Sequence, residues 1–434
     1  MYPANSKPFF IFGKFENPSL SPLIHYFNVN FNWIKYNQSI HSRIYLKYKF
    51  KLNHTGYTAD FITNTELRTP IQNCVHQYRI AYIVIQMLKS SVRKTVLLCP
   101  GQGCFDTKSL QTLSRFKNFD SVNKILRTAN DALPSLELSK YIRHPELVEN
   151  DNKVQQMLQR TIVQQPLLIL TSVVSNEIAK LVGKVNYVQK ADLMVGHSLG
   201  EISGLVLQNA IPLNEGLVLG YKRGKLMEDI ARGSNCKNGL QGYGMYALVF
   251  QPKQYGEVVN CLKSNSANIA NYNTYSQVVI SGKKVDLKEQ IKQVKVEVGR
   301  IRAIDLNVSI PFHHPMLGQI EKALRNAFGK AKVRPGELEI PMISDLDAKL
   351  ATTSEEQVDK VIKVTSRPVK FSKCLETFCH KSDKEKPDVS YDFVSYGTPT
   401  HGLVKRFFKD LEKRGRKSEI PEYTNIMISD SFGK

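Results

Sequence analysis

Apolar residues in this chain form short continuous runs separated by longer stretches at helical spacing. Residues 95–100 (TVLLCP) form the first such run, which is typical of a buried strand and ends at Gly101, where a loop is expected. From residue 109 to residue 207 the spacing is mostly helical. Within it, 154–181 reads as helix, and Pro166 predicts a junction between two helices. The pattern therefore predicts a strand followed by a long helical region.

A second apolar run, residues 191–195 (ADLMV), leads directly into the segment Gly196-His197-Ser198-Leu199-Gly200. A helix rich in small residues is predicted from Glu201, and another over residues 213–231. A strand, a tight turn with Gly on both sides of a Ser, and a helix are the context in which G-x-S-x-G presents a nucleophile. Ser198 is therefore a candidate nucleophile, with a mere packing turn as the alternative.

The pattern changes between residues 238 and 307. Short apolar runs predict strands and two amphipathic stretches predict helices, in the order β-α-β-β-α-β that is typical of a small ferredoxin-like α+β subdomain. The predicted strands are 245–250, 267–270 and 278–281, and the predicted helices are 252–264 and 285–294. A helical region is predicted from residue 309, and further strands at 339–344 and 391–395. Residues 238–307 are thus predicted to be inserted in a larger α/β subdomain formed by residues 87–237 and 308–434.

The first 86 residues differ in composition from the rest and have no assigned fold. They hold nine basic against three acidic residues and 17 of the 40 aromatic residues, including the only tryptophan, Trp33. Met87 begins a short basic, Ser-containing stretch without acids, which leads into the first strand. Residues 1–86 are therefore either a presequence or a stretch that precedes the true start.

Composition and charge narrow the possible classes of protein. With 42% hydrophobic residues the chain is not predominantly disordered, and no apolar run is long enough to predict a membrane-spanning helix. Seven scattered cysteines without a C-x-x-C pair disfavour a disulfide scaffold or a zinc site and favour a reducing compartment. The formal charge of +21 favours anionic partners, among them nucleic acid, an anionic membrane surface, an acidic protein or an anionic metabolite.

A catalytic serine needs a base, and the sequence leaves several histidines open. His313 and His314 stand together in a loop before a predicted helix, where an ordinary helix N-terminus is the alternative explanation. The rivals are His197, His380 and His401.

Five separated stretches resemble, in the same order and with similar spacing, the acyl-CoA:carrier-protein transacylase family, and within it the malonyl-CoA:acyl-carrier-protein transacylases. The matching residues are Pro100-Gly101-Gln102-Gly103; Gly196 to Glu201 (GHSLGE); Arg223-Gly224 with Met227; Asn271-Tyr272-Asn273 with Gln277 to Gly282 (QVVISG); and Phe312-His313 with Pro315 and Met316. The resemblance extends from about residue 95 to about residue 408. It implies an α/β-hydrolase-like large subdomain with a parallel sheet and the inserted ferredoxin-like subdomain.

The resemblance implies a role for each matching residue. Ser198 is the nucleophile and His313 its base, and the backbone amides of Gln102 and Leu199 form the oxyanion hole. The base is oriented by the backbone carbonyl at Val364, so no acidic third member of a triad is expected. Arg223 binds the malonyl carboxylate, for which a planar guanidinium offers two parallel hydrogen bonds, and Asn273 is a further substrate-binding residue.

The resemblance also implies partners and setting. The substrates are malonyl-CoA and the phosphopantetheine thiol of an acyl carrier protein, with ping-pong kinetics through a malonyl-serine, no cofactor and no metal. A stand-alone monomer serving type II fatty acid synthesis is expected, and the basic leader favours the mitochondrial matrix.

Three departures from the family pattern stand out. Cys104 and Phe105 replace the usual Ser-Gln after P-G-Q-G, and His314 replaces the Ser after the base. The usual late G-P-G turn is present only as Gly397-Thr398-Pro399. The assignment of His313 over His314 therefore depends on the preceding Phe312.

Two other classes remain as alternatives. A serine hydrolase or thioesterase has the same elbow and needs an acidic triad member, for which Asp345 with His401 is the candidate. A basic nucleic-acid-binding or surface-binding protein is disfavoured, because the sequence contains no zinc-finger spacing, recognition-helix pattern or basic region with heptads.

Overall fold

The computed structural model describes the backbone of residues 44–51 and 58–65 together with residues 92–102, 107–233, 242–380 and 389–433. The chain divides into two units, Met1–Ser90 and Ser91–Lys434. In the first unit, β1 (Ile44–Lys51) and β2 (Thr58–Thr65) pair as an antiparallel hairpin. Most of the predicted leader lies outside the described residues, as do Met87, Cys104 and Phe105.

The second unit alternates strands and helices. Its strands, in chain order, are β3 (Val92–Cys99), β4 (Ala191–Gly196), β5 (Tyr243–Val249), β6 (Ile269–Thr274), β7 (Gln277–Lys283), β8 (Arg302–Asp305), β9 (Glu337–Ile343), β10 (Leu350–Thr353), β11 (Val389–Ser395) and β12 (Tyr423–Met427). Its helices are α1 (Thr107–Ser114), α2 (Asp120–Ala132), α3 (Leu138–Arg143), α4 (Glu146–Asn150), α5 (Asn152–Gln159), α6 (Thr161–Leu181), α7 (Tyr187–Lys190), α8 (Gly200–Leu207), α9 (Leu213–Gly233), α10 (Tyr255–Ser264), α11 (Lys284–Val298), α12 (Glu321–Lys330), α13 (Ser354–Val364), α14 (Phe371–Glu376) and α15 (Thr398–Lys413). Among the described residues, none of these helices is long and apolar enough to cross a membrane.

The large sheet has the strand order β10-β9-β4-β3-β11-β12. Its strands are parallel except for β10, which pairs antiparallel with β9 at one edge. Residues 96–99 of β3 are completely buried, because alternate side chains contribute to the hydrophobic cores on the two opposite faces of the sheet. The parallel α/β sheet predicted from the sequence is confirmed. The antiparallel β10 and the parallel edge strand β12 were not predicted.

The small sheet has the strand order β6-β7-β5-β8, with every neighbouring pair antiparallel. Two helices, α10 and α11, pack against the sheet and enclose a hydrophobic core of its own. This order of strands and helices is that of a ferredoxin-like unit, as the sequence predicted for residues 238–307.

A short segment after α13 joins the two sheets. Val369 lies beside β6, donating its N–H to the Ala270 carbonyl and accepting the N–H of Tyr272, each at 2.8 Å. The small sheet is therefore extended by a residue of the large subdomain, which ties the two subdomains together.

The predicted junction at Pro166 is wrong. The chain leaves the helical conformation at Arg160 (ψ 135°), between α5 and α6, and Pro166 lies inside α6. As the sixth residue of α6, Pro166 forfeits one intrahelical hydrogen bond without ending the helix, and α9 packs closely against it. The approach is close because Gly220 of α9 has no side chain: a Cβ there would lie 3.3 Å from the Pro166 nitrogen.

Candidate active site

The turn between β4 and α8 presents Ser198 at the carboxyl end of the parallel sheet. Ser198 has a left-handed backbone (φ 54°). A Cβ on Gly196 would lie 2.1 Å from the Glu201 nitrogen, and one on Gly200 would lie 2.1 Å from the Cys99 carbonyl oxygen. The turn can therefore be this sharp only because both flanking residues are glycine.

His313 is in hydrogen-bonding contact with the serine. Its Nε2 lies 2.8 Å from Ser198 Oγ, and its Nδ1 lies 2.7 Å from the Val364 carbonyl oxygen. Because a carbonyl only accepts, Nδ1 carries the proton, and Nε2 is left to accept the serine hydroxyl proton. This tautomer is the one that a general base requires.

The other histidines have different positions. His314 Nδ1 accepts the N–H of Met316 at 3.2 Å and so caps the 3₁₀ helix Pro315–Ile320. His197 Nε2 lies 3.0 Å from Asn273 Oδ1. Neither His380 nor His401 lines the cavity that contains Ser198. Of the candidate bases, the structure therefore brings His313 to the serine and gives His314 a capping role.

Arg223 of α9 is 3% exposed and lies next to the serine. Its Nη2 donates to Ser198 Oγ at 3.4 Å, its Nη1 to Gln165 Oε1 at 3.2 Å and its Nε to Thr365 Oγ1 at 3.4 Å. Burial lowers the pKa of Arg223 to about 10, so the guanidinium remains charged at neutral pH. In the part of the chain that the structure describes, no carboxylate lies within ion-pairing distance of it.

Burial and the positive charge of Arg223 lower the pKa of His313 to about 3. Both causes act in the same direction, because each disfavours the imidazolium form. The imidazole is therefore neutral at physiological pH and competent to take a proton.

The residues predicted for the oxyanion hole and for substrate binding lie around the same serine. Leu199 is the N-cap of α8, where backbone amides have no intrahelical acceptor. Gln102 follows β3, and its side chain donates to Thr161 Oγ1 at 3.0 Å and accepts from Gln165 at 3.2 Å. Asn273 of β6 contacts His197 and donates to Gln277 Oε1 at 3.3 Å.

A cavity of about 410 Å³ connects these groups. Ser198, His313 and Arg223 line it, together with apolar residues of the small sheet and of the loop after it. These apolar residues are Met245, Ala247, Val279, Leu306, Val308 and Phe312. The cavity therefore combines a serine, a buried cation and an apolar surface, which suits a small acyl group.

Three residues contact the predicted site in ways that the sequence did not reveal. Gln165 and Thr365 accept hydrogen bonds from Arg223, and polar residues at buried helical positions are the only sequence signal for them. Asp345 was considered as the acid of a hydrolase triad. Its Oδ2 instead accepts the backbone N–H of Ser198 at 2.5 Å, and a backbone carbonyl holds the ring of His313.

An elbow serine bonded to a neutral histidine, beside a buried arginine and above a parallel sheet, defines an α/β enzyme of the acyl-transfer class. Residues 110–391 match the model of the acyl transferase domain. The chain belongs to this family and is an acyltransferase.

Curated relatives agree with this assignment, and a solved structure shares the fold. The malonyl CoA-acyl carrier protein transacylase of Bacillus subtilis (strain 168) is 29% identical over 325 residues, covering 74% of this chain and 92% of that protein. The mitochondrial malonyl CoA-acyl carrier protein transacylase of Schizosaccharomyces pombe is 28% identical over 302 residues, covering 65% of this chain and 89% of that one. The solved malonyl CoA-acyl carrier protein transacylase from Coxiella burnetii has a TM-score of 0.62 at 21% identity, covering 79% and 96% of the two chains.

Proposed function

We propose that this acyltransferase moves a malonyl group from malonyl-CoA to the phosphopantetheine thiol of an acyl carrier protein, supplying type II fatty acid synthesis. One observation carries the proposal: Arg223 is buried and charged, forms no ion pair among the described residues, and lies 3.4 Å from Ser198 Oγ. A buried cation in this position matches an acyl group that ends in a carboxylate and gives no advantage to acetyl or fatty-acyl groups. The names of the relatives support the same substrate.

The first half-reaction uses the groups already in contact. Ser198 Oγ attacks the thioester carbonyl while His313 Nε2 takes the hydroxyl proton. The amides of Gln102 and Leu199 stabilise the oxyanion of the tetrahedral intermediate. Its collapse breaks the carbon–sulfur bond, and the departing CoA thiolate takes the proton from His313.

The second half-reaction reverses these steps with a new thiol. After CoA leaves, the carrier thiol gives its proton to His313 and attacks the malonyl-serine, and Ser198 recovers its proton when the ester breaks. Every group in this sequence is a side chain or amide of the chain, so the proposal includes no cofactor and no metal. Kinetics should be ping-pong, because CoA leaves before the carrier protein enters.

A basic surface at the cavity supports an acidic partner. Arg406 lines the cavity, and Lys405, Lys409 and Lys413 lie exposed along α15 at spacings of four residues, which places the lysines on one face. None of these four cations forms an ion pair within the described ranges. They suit the phosphate of a phosphopantetheine arm or an acidic surface of its carrier protein.

We also propose that the protein acts as a monomer in the mitochondrial matrix. The mitochondrial relative and the basic, acid-poor character of residues 1–86 support that compartment. N-terminal sequencing of the mature protein tests the location of the start. A mature chain beginning near Met1 would contradict both the presequence and the late-start interpretations.

The substrate proposal is tested with two variants and a control. Ser198→Ala should abolish the acyl-enzyme that intact-protein mass spectrometry detects after mixing with malonyl-CoA; an undiminished adduct would place the nucleophile elsewhere. Arg223→Ala should shift preference from malonyl-CoA toward acetyl-CoA, at a cost to malonyl transfer on the order of 2 to 5 kcal/mol. Arg232→Ala is the matched control, because Arg232 lies on the same helix but is ion-paired with Glu228.

The same assay separates transfer from hydrolysis. The proposal requires malonyl-CoA consumption to depend on the carrier protein, with malonyl-carrier as product. Rapid release of free malonate without a carrier would instead favour the hydrolase alternative.

A further inference from the structure

Two buried carboxyl groups lie directly beneath the elbow and have no part in the mechanism above. Asp345 follows β9, Glu201 lies in the first turn of α8, and both side chains are 0% exposed. Asp345 Oδ2 accepts the Ser198 N–H at 2.5 Å, and Glu201 Oε1 accepts the Asp345 N–H at 2.8 Å. A continuous set of hydrogen bonds thus runs from the helix that follows the serine, through the adjacent strand end, to the serine backbone.

We propose that Asp345 is a positioning residue for Ser198, holding the elbow by its backbone amide, and that Glu201 holds Asp345 in turn. This inference rests on the proposed function in one respect, because that function makes Ser198 the nucleophile.

The backbone of Ser198 explains why such support is needed. A left-handed conformation at a residue other than glycine is unfavourable and persists only where surrounding contacts impose it. Gly196 and Gly200, two residues before and after Ser198, permit the turn, but they do not themselves fix the direction of the Ser198 Cβ. The amide of Ser198 is bonded to a side chain 147 residues away, so the support comes from a different strand of the same sheet.

Asp345 Oδ2 serves the Ser198 amide as a hydrogen-bond acceptor. Burial, and next the negative charge of Glu201, raise the pKa of Asp345 well above its usual range, and burial raises the pKa of Glu201 to about 7. No ion pair to either carboxyl lies within the described residues. Cys374 of α14 lies 3.9 Å from Asp345 Oδ1, and Ser344, Gln357 and the charge of Arg223 act on Glu201. An amide oxygen in the place of Oδ2 should therefore serve equally well.

The test compares Asp345→Ala, which removes the acceptor, with Asp345→Asn, which keeps an acceptor of nearly the same shape. Two readouts are taken on the full chain: the rate at which a fluorophosphonate labels Ser198, and the burst of acyl-enzyme from malonyl-CoA. Asp345→Ala should slow both rates by about 100-fold, the loss expected when a reacting atom is misplaced by ~1 Å. Asp345→Asn should restore both rates to near the wild-type value.

A buried carboxyl elsewhere serves as the control. Asp410 of α15 is 4% exposed and faces Thr274 and Ser276. Asp410→Ala should lower the melting temperature while leaving the labelling rate of Ser198 unchanged. If Asp345→Ala does not fold, Asp345→Leu takes its place, because it fills a similar volume without a hydrogen-bond acceptor.

The outcomes separate this proposal from the function on which it rests. Undiminished labelling of a folded Asp345→Ala or Asp345→Leu variant overturns the positioning role. So does an Asp345→Asn variant that folds normally but labels slowly. If the wild type labels readily but forms no adduct with malonyl-CoA, the substrate assignment is wrong, while the fluorophosphonate series still decides the role of Asp345.

Discussion

Ser198 and His313 have nearly the same backbone conformation, with φ values of 54° and 59°, but the chain imposes it in different ways. At the serine, the two glycines on either side make the turn possible. At the histidine, the partners are distant in sequence: the ring bonds to the Val364 carbonyl, and the His313 carbonyl accepts from Asn268 at 3.3 Å. Local sequence thus allows the nucleophile its turn, whereas tertiary contacts select the base.

The sharpest test of this contrast compares the two adjacent histidines. His313→Ala should lower the rate of acyl-enzyme formation by about 10³-fold, because the general base is lost. His314→Ala removes only the cap on the Met316 amide, and should cost about 1 kcal/mol of unfolding free energy with little change in rate. Quenched-flow bursts and thermal melts measure the two effects. Equal losses of rate in the two variants would show that the ring contacts do not distinguish the base.

The local half of the contrast is tested at the elbow. Gly200→Ala places a Cβ 2.1 Å from the Cys99 carbonyl oxygen, so the turn must shift. We expect about a 100-fold lower burst rate and a loss of about 3 kcal/mol of unfolding free energy. Gly256→Ala is the control, because a Cβ at this helical position meets nothing within 4 Å, and it should be neutral or slightly stabilising. A fully active Gly200→Ala variant would refute the steric requirement.

A smaller effect is expected from Gln165, which is 58 residues from Arg223 in the sequence and accepts a hydrogen bond from it. Gln165→Leu removes both the acceptor for Arg223 Nη1 and the donor to Gln102, while keeping a side chain of similar size. We expect KM for malonyl-CoA to rise by about tenfold with a smaller change in kcat, since one charge-assisted hydrogen bond that orients the cation is lost. Gln164→Leu, on the neighbouring and less buried position of α6, should behave like the wild type. Steady-state kinetics on both variants decide the point.

The smallest expected effect concerns the pH dependence of acyl-enzyme formation, whose rate should hardly change between neutral and mildly acidic pH. An ordinary histidine loses its neutral form below about pH 6.5, and the rate should then fall tenfold per pH unit. Because the pKa of His313 is lowered to about 3, its neutral form persists in acid, and the rate of acyl-enzyme formation should be constant from about pH 8 to about pH 5. Arg223→Gln removes a cause of the shift and should move the loss of rate to higher pH. A break near pH 6.5 in the wild type would contradict the effect of burial.

The features that the sequence predicted are those set by local residues, and the features that it missed depend on contacts between distant residues. The strand, turn and helix around Ser198 were predicted because glycine spacing and an apolar run are local signals. Strand β10 was missed because its few residues show no apolar run, and Pro166 misled because the packing of Gly220 from another helix is invisible to periodicity. His313 was preferred to His314 only through the family resemblance at Phe312, and its contact with the Val364 carbonyl, like the position of Asp345, required knowledge of which distant groups lie nearby.

The stretch from Val364 to Val369 links features that were described separately. Its first residue orients the base, its second, Thr365, accepts from Arg223, and its last pairs with the small sheet. Because all three depend on one short piece of chain, loosening it would disable proton transfer and acid recognition together. Val364 and Val369 are fully buried in the hydrophobic core on one face of the large sheet, so heating should abolish turnover together with the melting of that core, and thermal inactivation should report the stability of that core.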